Sequence, residues 1–152
     1  MDQREKRGTL GHMLDHLGVH VRDIESSRVF YDRVLAPIGI KATAVMGGCV
    51  GYGYDRPFFW LEPAEGLYAT IGGAHIAFVA YKRGQVLAAK AAAEMLGAKV
   101  VHQPQVFGEY HPSYFAVFVL DPSGCVQPGH PRAPVLGRNF RPGGSQTHAM
   151  SP

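Results

Sequence analysis

The segment MLDHLGVHVRD, residues 13–23, carries the pattern that decides the predicted fold. Apolar and polar residues alternate along it with a period of two, which indicates a strand with one buried and one open face. The apolar face carries Leu17, Val19 and Val21, and the opposite face carries His16, Gly18 and His20. Two imidazoles beside a glycine make a polar surface with free space next to it, where a small molecule could bind.

A second segment, GAHIAFVAY at residues 73–81, repeats this arrangement. One face carries Ile76 and Phe78, and the other carries His75, Ala77 and Val79. The repetition raises the question of whether the two histidine-bearing strands line one cavity. His16 and His75 would then hold a metal ion between them.

Each of these strands begins a module with the same predicted order: one strand, one helix and three strands. The predicted helices span 24–35 and 84–96, and the predicted strands span 14–22, 40–46, 50–54, 58–61, 74–81, 99–103, 114–120 and, weakly, 125–127. A module with a single helix leaves one face of its sheet open, so a second module is needed to cover that face. The predicted fold class is therefore α+β, with two βαβββ modules that form a cupped mixed sheet.

The same pattern sets the expected domain bounds. A flexible leader at 1–12 precedes a single domain at 13–127, which consists of module one at 13–62, a linker at 63–72 and module two at 73–127. The last segment, 128–152, is predicted to be irregular or disordered, because Pro, Gly and Arg dominate it and no periodicity survives.

The composition is that of an ordinary soluble globular protein, with 46% apolar and 18% charged residues and a net charge of +3. Lys and Arg are scattered rather than clustered, which argues against nucleic-acid binding. The longest apolar run, 114–120, is too short to span a membrane. Cys49 and Cys125 form no CxxC motif and no signal peptide is recognisable, so we expect a cytoplasmic protein.

Residues 15–39, DHLGVHVRDIESSRVFYDRVLAPIG, resemble the start of proteins of the vicinal oxygen chelate superfamily. That superfamily contains glyoxalase I, the bleomycin-resistance proteins, the fosfomycin-resistance enzymes and the extradiol dioxygenases. GAHIAFVA at 73–80, LGAKVV at 96–101 and YHPSYFAVFVLDPSG at 110–124 match in the order that the superfamily has. The resemblance implies a cup formed by paired modules, with a divalent metal ion inside it.

The resemblance also implies which residues hold this ion. The usual ligands in the superfamily are a His on the first strand of each module and a Glu on the last strand of the second. By position the histidines are His16 and His75, and the ion would be Zn, Ni, Mn or Fe. Glu62 is a further candidate, since some members add a Glu near the end of the first module.

The final carboxylate of this metal site is missing from the sequence. The usual Glu falls on Pro128, and neither Asp nor Glu follows Asp121. Gln127 could offer a neutral oxygen instead. A site without the carboxylate loses a ligand and a negative charge, so its affinity for a hard divalent ion should fall.

Two functions therefore remain open. The first is a metal-dependent enzyme of the glyoxalase or dioxygenase type, a lyase, isomerase or dioxygenase whose small substrate chelates the ion through adjacent oxygens. The alternative is a metal-free protein that binds a small molecule or antibiotic, as the bleomycin-resistance proteins do. The missing Glu favours the second function and the histidine pair favours the first. For either one the resemblance implies a homodimer, and the sequence assigns no catalytic residue.

The candidate residues of a substrate pocket are aromatic or imidazole side chains, namely His20, Trp60, Tyr110, His111 and Tyr114. An aromatic pocket suits a flat organic ligand. Packing within the sheets is the competing explanation for the aromatic residues, and support of the metal ligands is a second role open to His20.

Overall fold

We describe the fold from a computed structural model of the chain, which covers residues 14–65, 75–110 and 112–123 together with the backbone of 133–139. Module one consists of β1 (Leu17–Val21), α1 (Ile24–Leu35), β2 (Lys41–Met46), β3 (Cys49–Gly53) and β4 (Pro57–Pro63), with a 3₁₀ helix at Ala36–Ile38 after α1. Module two consists of β5 (His75–Val79), α2 (Arg83–Met95), β6 (Val100–Val106), β7 (Tyr114–Val119) and β8 (Ala133–Asn139). The predicted α+β fold of two βαβββ modules is confirmed. No helix among these residues is long and apolar enough to cross a membrane.

Helix α1 has the bounds that the sequence predicts. Asp23 is its N-cap, and the Asp23 carboxylate accepts a 3.0 Å hydrogen bond from the amide of Ser26. Gly39 follows the 3₁₀ helix with a φ of 80°, a left-handed conformation that favours glycine and ends the helical segment. The buried side of α1 carries Ser27, Phe30, Tyr31, Val34 and Leu35.

Each module forms a four-stranded sheet with the same topology. The strand order is β1-β4-β3-β2 in module one and β5-β8-β7-β6 in module two. The first and last strands of each module pair in parallel, and the other pairs are antiparallel. Residues of the first and last strands of a module can therefore meet side by side on one face of the sheet.

The two modules share one hydrophobic core, which lies on the helix-covered sides of both sheets. Helix α1 contacts α2, and Phe59 of β4 meets Phe78 of β5 with ring centroids 5.1 Å apart. The other face of β5 takes no part in this core, since His75, Ala77 and Val79 are exposed. The modules of one chain thus meet through their helix sides and leave the opposite face of each sheet open.

The turn after β7 ties module two to α1 through polar contacts. Asp121 is buried and accepts a 2.9 Å hydrogen bond from the hydroxyl of Tyr31. Ser123 is also buried, and its hydroxyl lies 3.4 Å from that of Ser27. The turn therefore forms part of the joint between the modules.

The last strand is the main difference from the sequence-based expectation. Segment 128–152 is predicted to be irregular, and this prediction is wrong for Ala133–Asn139, which form β8. Its sequence, APVLGRN, contains Pro and Gly and shows no alternation. Pairing with β5 on one side and β7 on the other provides the hydrogen bonds, so the tertiary context overrides the local preference. The leader at 1–12, the weak strand at 125–127 and most of the linker lie outside the described residues.

Candidate ligand-binding site

The uncovered side of the first sheet brings a histidine and a carboxylate together. Strands β1 and β4 pair in a register that places His20 opposite Glu62. His20 Nε2 lies 3.2 Å from Glu62 Oε2, and the two side chains are 28% and 36% exposed. The pair is therefore held in one place and is still accessible to a ligand.

Gly18 makes room for this pair. A Cβ at position 18 would overlap Oε1 of Glu62. The carboxylate thus lies over β1, where any other residue would place its side chain. The free space that the sequence predicts beside Gly18 is filled by the side chain of Glu62.

Trp60 lies between two glycines on the same side of the sheet. The register pairs Trp60 with Gly18 on β1 and with Gly51 on β3. The indole atoms Cη2 and Cζ3 lie 2.9 Å from the place that a Cβ of Gly51 would take, so the ring extends across β3. Trp60 is half-buried and can stack with a planar group. We call Gly18, His20, Gly51, Trp60 and Glu62 the open face of module one.

His16 directly precedes β1 and has a carboxylate beside it. His16 Nδ1 lies 3.0 Å from Asp15 Oδ2, and the histidine side chain is 60% exposed. Asp15 also accepts a 3.1 Å hydrogen bond from Arg56. The hydrogen bond with His16, and after it the one with Arg56, holds the pKa of the Asp15 carboxyl below its usual value. The predicted ligand His16 is thus accessible. Within the described residues, its ring nitrogen forms a hydrogen bond with the adjacent Asp15.

The uncovered side of the second sheet is aromatic, and His75 lies within it. His75 is exposed, and its ring centroid is 5.5 Å from that of Phe118. Phe118 also meets His102 at 5.1 Å and Phe107 at 4.8 Å between centroids. The predicted ligand His75 therefore packs against the ring of Phe118, and His102 of the same module contacts that ring as well.

Two predicted pocket residues belong to the same group of rings. Tyr110 lies 5.4 Å from Tyr114 and 6.4 Å from Phe118 between centroids. Burial, and after it the nearby Tyr110, raises the pKa of the Tyr114 hydroxyl. Like any tyrosine at neutral pH, Tyr114 is protonated and can donate a hydrogen bond. We call His75, His102, Phe107, Tyr110, Tyr114 and Phe118 the aromatic cluster of module two. His111 and Gln127 lie outside the described residues.

Three members of this cluster are not among the predicted site residues: His102, Phe107 and Phe118. The alternation along β7 places Phe118 on the same face as Tyr114, so the sequence pattern already indicates that Phe118 lies near the predicted pocket. His102 meets Phe118 through the register of β6 against β7, which shifts on both sides of His102. No local pattern in the sequence gives such a register.

The described residues of one chain do not fit a three-ligand metal site. No group of three or more His, Cys, Asp or Glu side chains among them could hold an ion. Strand β8 pairs Ala133 with His75 and contains no acidic residue, which agrees with the missing carboxylate. A metal ion bound by His16 and His75 stays a prediction.

Comparisons with known proteins support the fold. No family model and no curated protein matches this sequence. Solved structures do, and one is a glyoxalase/bleomycin resistance protein from Albidiferax ferrireducens T118, with a TM-score of 0.67, 19% identity and coverage of 82% of this chain and 98% of that one. Lactoylglutathione lyase from Agrobacterium tumefaciens matches with a TM-score of 0.58 at 18% identity, over 85% of this chain and 95% of that one. A glyoxalase/bleomycin resistance protein/dioxygenase family enzyme from Burkholderia phytofirmans PsJN matches with a TM-score of 0.60 at 16% identity, over 81% and 95%.

The chain therefore has the fold of the vicinal oxygen chelate proteins. The fold expected from the resemblance in sequence is confirmed. Because the identities are below 20%, this similarity assigns the fold and no activity.

Proposed function

We propose that this protein binds a small planar organic molecule, and that a second copy of the chain completes the binding site. The observation that carries the proposal is the open face of module one, where Trp60 lies beside the His20–Glu62 pair. An aromatic surface next to a few fixed polar groups is the usual makeup of a site for a small organic ligand.

The second copy is inferred from the way the modules meet. Within one chain they share a core on their helix sides, so neither open face covers the other there. Val79 is 51% exposed on the same side of β5 as His75, and an apolar side chain in such a position favours contact with another surface. The open face of module one in one copy and the aromatic cluster of module two in the other would then enclose the ligand.

This arrangement suggests what the ligand must offer. Trp60 on one side and the rings of Tyr110, Tyr114 and Phe118 on the other favour a flat, conjugated body. The His20–Glu62 pair can accept and donate hydrogen bonds, so a hydroxyl or carbonyl group on the ligand would find a partner.

Naphthalene-2,3-diol and its saturated counterpart, decalin-2,3-diol, test this proposal. Ligand-detected NMR titrations should show tighter binding of the flat diol, and Trp60→Ala should weaken binding of the flat diol about fivefold, since a lost aromatic contact is worth about 1 kcal/mol. Leu87→Ala, on the exposed side of α2, is the matched control and should leave binding unchanged. Equal affinities of the Trp60→Ala variant and the unaltered protein would contradict the proposal.

A metal-dependent enzyme of the glyoxalase or dioxygenase type is the second candidate. It is favoured by two donors of module one, namely His16, directly before β1, and Glu62, whose carboxylate is held by His20 and lies over Gly18. His75 of a second copy would complete the set, with Gln127 as a further donor. A bound divalent ion would polarise two adjacent oxygens of a substrate, and Glu62 would be placed to accept a proton from it.

Elemental analysis of protein purified without a histidine tag separates the two candidates. The enzyme requires stoichiometric Zn, Ni, Mn or Fe that is lost in the His16→Ala, His75→Ala double variant. His102→Ala removes a neighbouring imidazole and should keep the ion. Protein that stays metal-free after incubation with each of these ions would contradict the metal-dependent enzyme.

A further inference from the structure

A cavity of about 550 Å³ lies at the joint between the two modules, away from both open faces. Helix α1 contributes residues from its first turns, and module two contributes the segment between α2 and β6 and the turn after β7. The lining residues are Ser26, Val29, Phe30, Leu96, Gly97, Ala98, Lys99, Leu120, Asp121 and Pro122. A volume of this size falls within the range of sites for small molecules.

Most of the lining is apolar, and part of it faces solvent. Val29 is 52% exposed and Leu96 is 36% exposed, although both line a concave surface. Phe30 forms part of the lining from the buried side of α1. A ligand with an apolar body would bury these side chains and gain the corresponding hydrophobic free energy.

The two charged residues of the lining differ in their accessibility. Asp121 is buried and accepts the hydrogen bond of the Tyr31 hydroxyl, so its carboxylate is engaged inside the joint. Lys99 is exposed and belongs to none of the ion pairs formed among the described residues. The cavity therefore combines an apolar surface with an accessible cation.

We propose that this cavity binds a small carboxylic acid with an apolar aliphatic or aromatic body. The carboxylate pairs with the ammonium group of Lys99, and the body lies against Val29, Leu96 and Pro122. Because α1 belongs to module one and Leu96 and Lys99 belong to module two, the ligand contacts both modules. The proposal does not depend on the open faces or on a second copy of the chain.

The probe is 4-phenylbutanoate, compared with the uncharged 4-phenylbutan-1-ol, each titrated into the ¹⁵N-labelled full chain. The amide signals of Val29, Gly97 and Lys99 should shift with the acid, and the acid should bind more tightly than the alcohol. Lys99→Gln should weaken binding of the acid up to about fivefold, which is the scale of an exposed ion pair. Binding of the alcohol should stay unchanged. Lys41→Gln, an exposed lysine on β2, is the matched control.

Val29→Trp tests the location, because an indole at this position would occupy the part of the cavity in which the body of the ligand lies. The variant should lose acid binding, whereas Leu87→Trp, at an exposed site on α2, should keep it. A Trp60→Ala, His20→Ala double variant should also keep it, which separates this cavity from the proposed planar-ligand site. Unshifted amides at Val29, Gly97 and Lys99, full affinity in Val29→Trp, or equal affinities of acid and alcohol would each overturn the proposal.

Discussion

His20 and Glu62 are register partners on two parallel strands, and their side chains meet at 3.2 Å on the open face of module one. The parallel pairing of β1 with β4 brings these distant parts of the chain together. The contact also needs the absence of a side chain at Gly18, over which the Glu62 carboxylate lies. The polar centre of this face therefore depends on the backbone as much as on its own two side chains.

The glycines of this face should differ in their tolerance of a methyl group. A Cβ at Gly51 would lie 2.7 Å from Pro57 Cβ and 2.9 Å from the indole of Trp60, and neither neighbour can rotate away easily. We expect Gly51→Ala to lower the free energy of unfolding by about 1–3 kcal/mol, the usual cost of overpacking. Gly18→Ala should cost less, because the carboxylate end of Glu62 is flexible and can move. Urea unfolding measures both values.

Gly84→Ala is the control for these substitutions. Gly84 lies in the first turn of α2 with no heavy atom within 4 Å of an added Cβ, so alanine should stabilise the protein by up to about 1 kcal/mol. If Gly51→Ala proved as harmless as Gly84→Ala, the position of the Trp60 indole across β3 would be wrong.

The joint between the modules should depend on the hydroxyl of Tyr31. Tyr31→Phe removes a hydrogen bond of 2.9 Å to a buried carboxylate, and hydrogen bonds to charged groups contribute about 1.5–3 kcal/mol. We expect a loss of this size in thermal or urea unfolding. Tyr110→Phe, at a residue that is 57% exposed, should change stability much less. Equal effects of the two substitutions would show that the contact with Asp121 contributes nothing.

Tyr52 should make the stability sensitive to alkaline pH. Burial, and after it the 2.9 Å hydrogen bond to Asp32, raises the pKa of the Tyr52 hydroxyl well above the usual tyrosine range. As the pH rises past about 10, the unfolded chain loses this proton and the folded chain keeps it, so the free energy of unfolding falls. Tyr52→Phe should make the decrease between about pH 8 and pH 11 smaller, as urea titrations would measure. An equally steep decrease in Tyr52→Phe and Tyr110→Phe would contradict this assignment.

Self-association should depend on the exposed side of β5. Val79→Asp places a charge on this side, where the side chain is not part of the core, so the fold should survive. Sedimentation should give twice the 16.5 kDa chain mass for the unaltered protein and one chain mass for the variant. Leu87→Asp, on the exposed side of α2, should associate as the unaltered protein does. A monomeric unaltered protein would contradict the proposed shared site.

Local signals in the sequence predict much of this fold. The helix predicted over 24–35 has the right bounds, because Asp23 caps its start and Gly39 ends the helical segment, and capping and termination are short-range effects. Alternation places Val19 and Val21 in the core and leaves His20 on the other side of β1, since a strand has a period of two.

The remaining features depend on contacts between distant segments. Strand β8 has no alternation in its sequence and forms because its backbone pairs with β5 on one side and β7 on the other. The meeting of His102 with Phe118 depends on register shifts in β6, and the filling of the space beside Gly18 depends on the pairing of β1 with β4. Packing likewise decides that the two modules join through their helix sides, and no short sequence pattern encodes this.

Neighbouring residues of the alternating strands have different roles, since one residue packs in the core and the next faces the open side of the sheet. On β5, Ile76 and Phe78 belong to the common core, whereas His75, Ala77 and Val79 do not. On β1, Val19 and Val21 belong to it and His20 does not. Substitutions at the second set can accumulate with little cost to folding, so a lineage with this architecture can exchange one ligand for another without first acquiring extra stability.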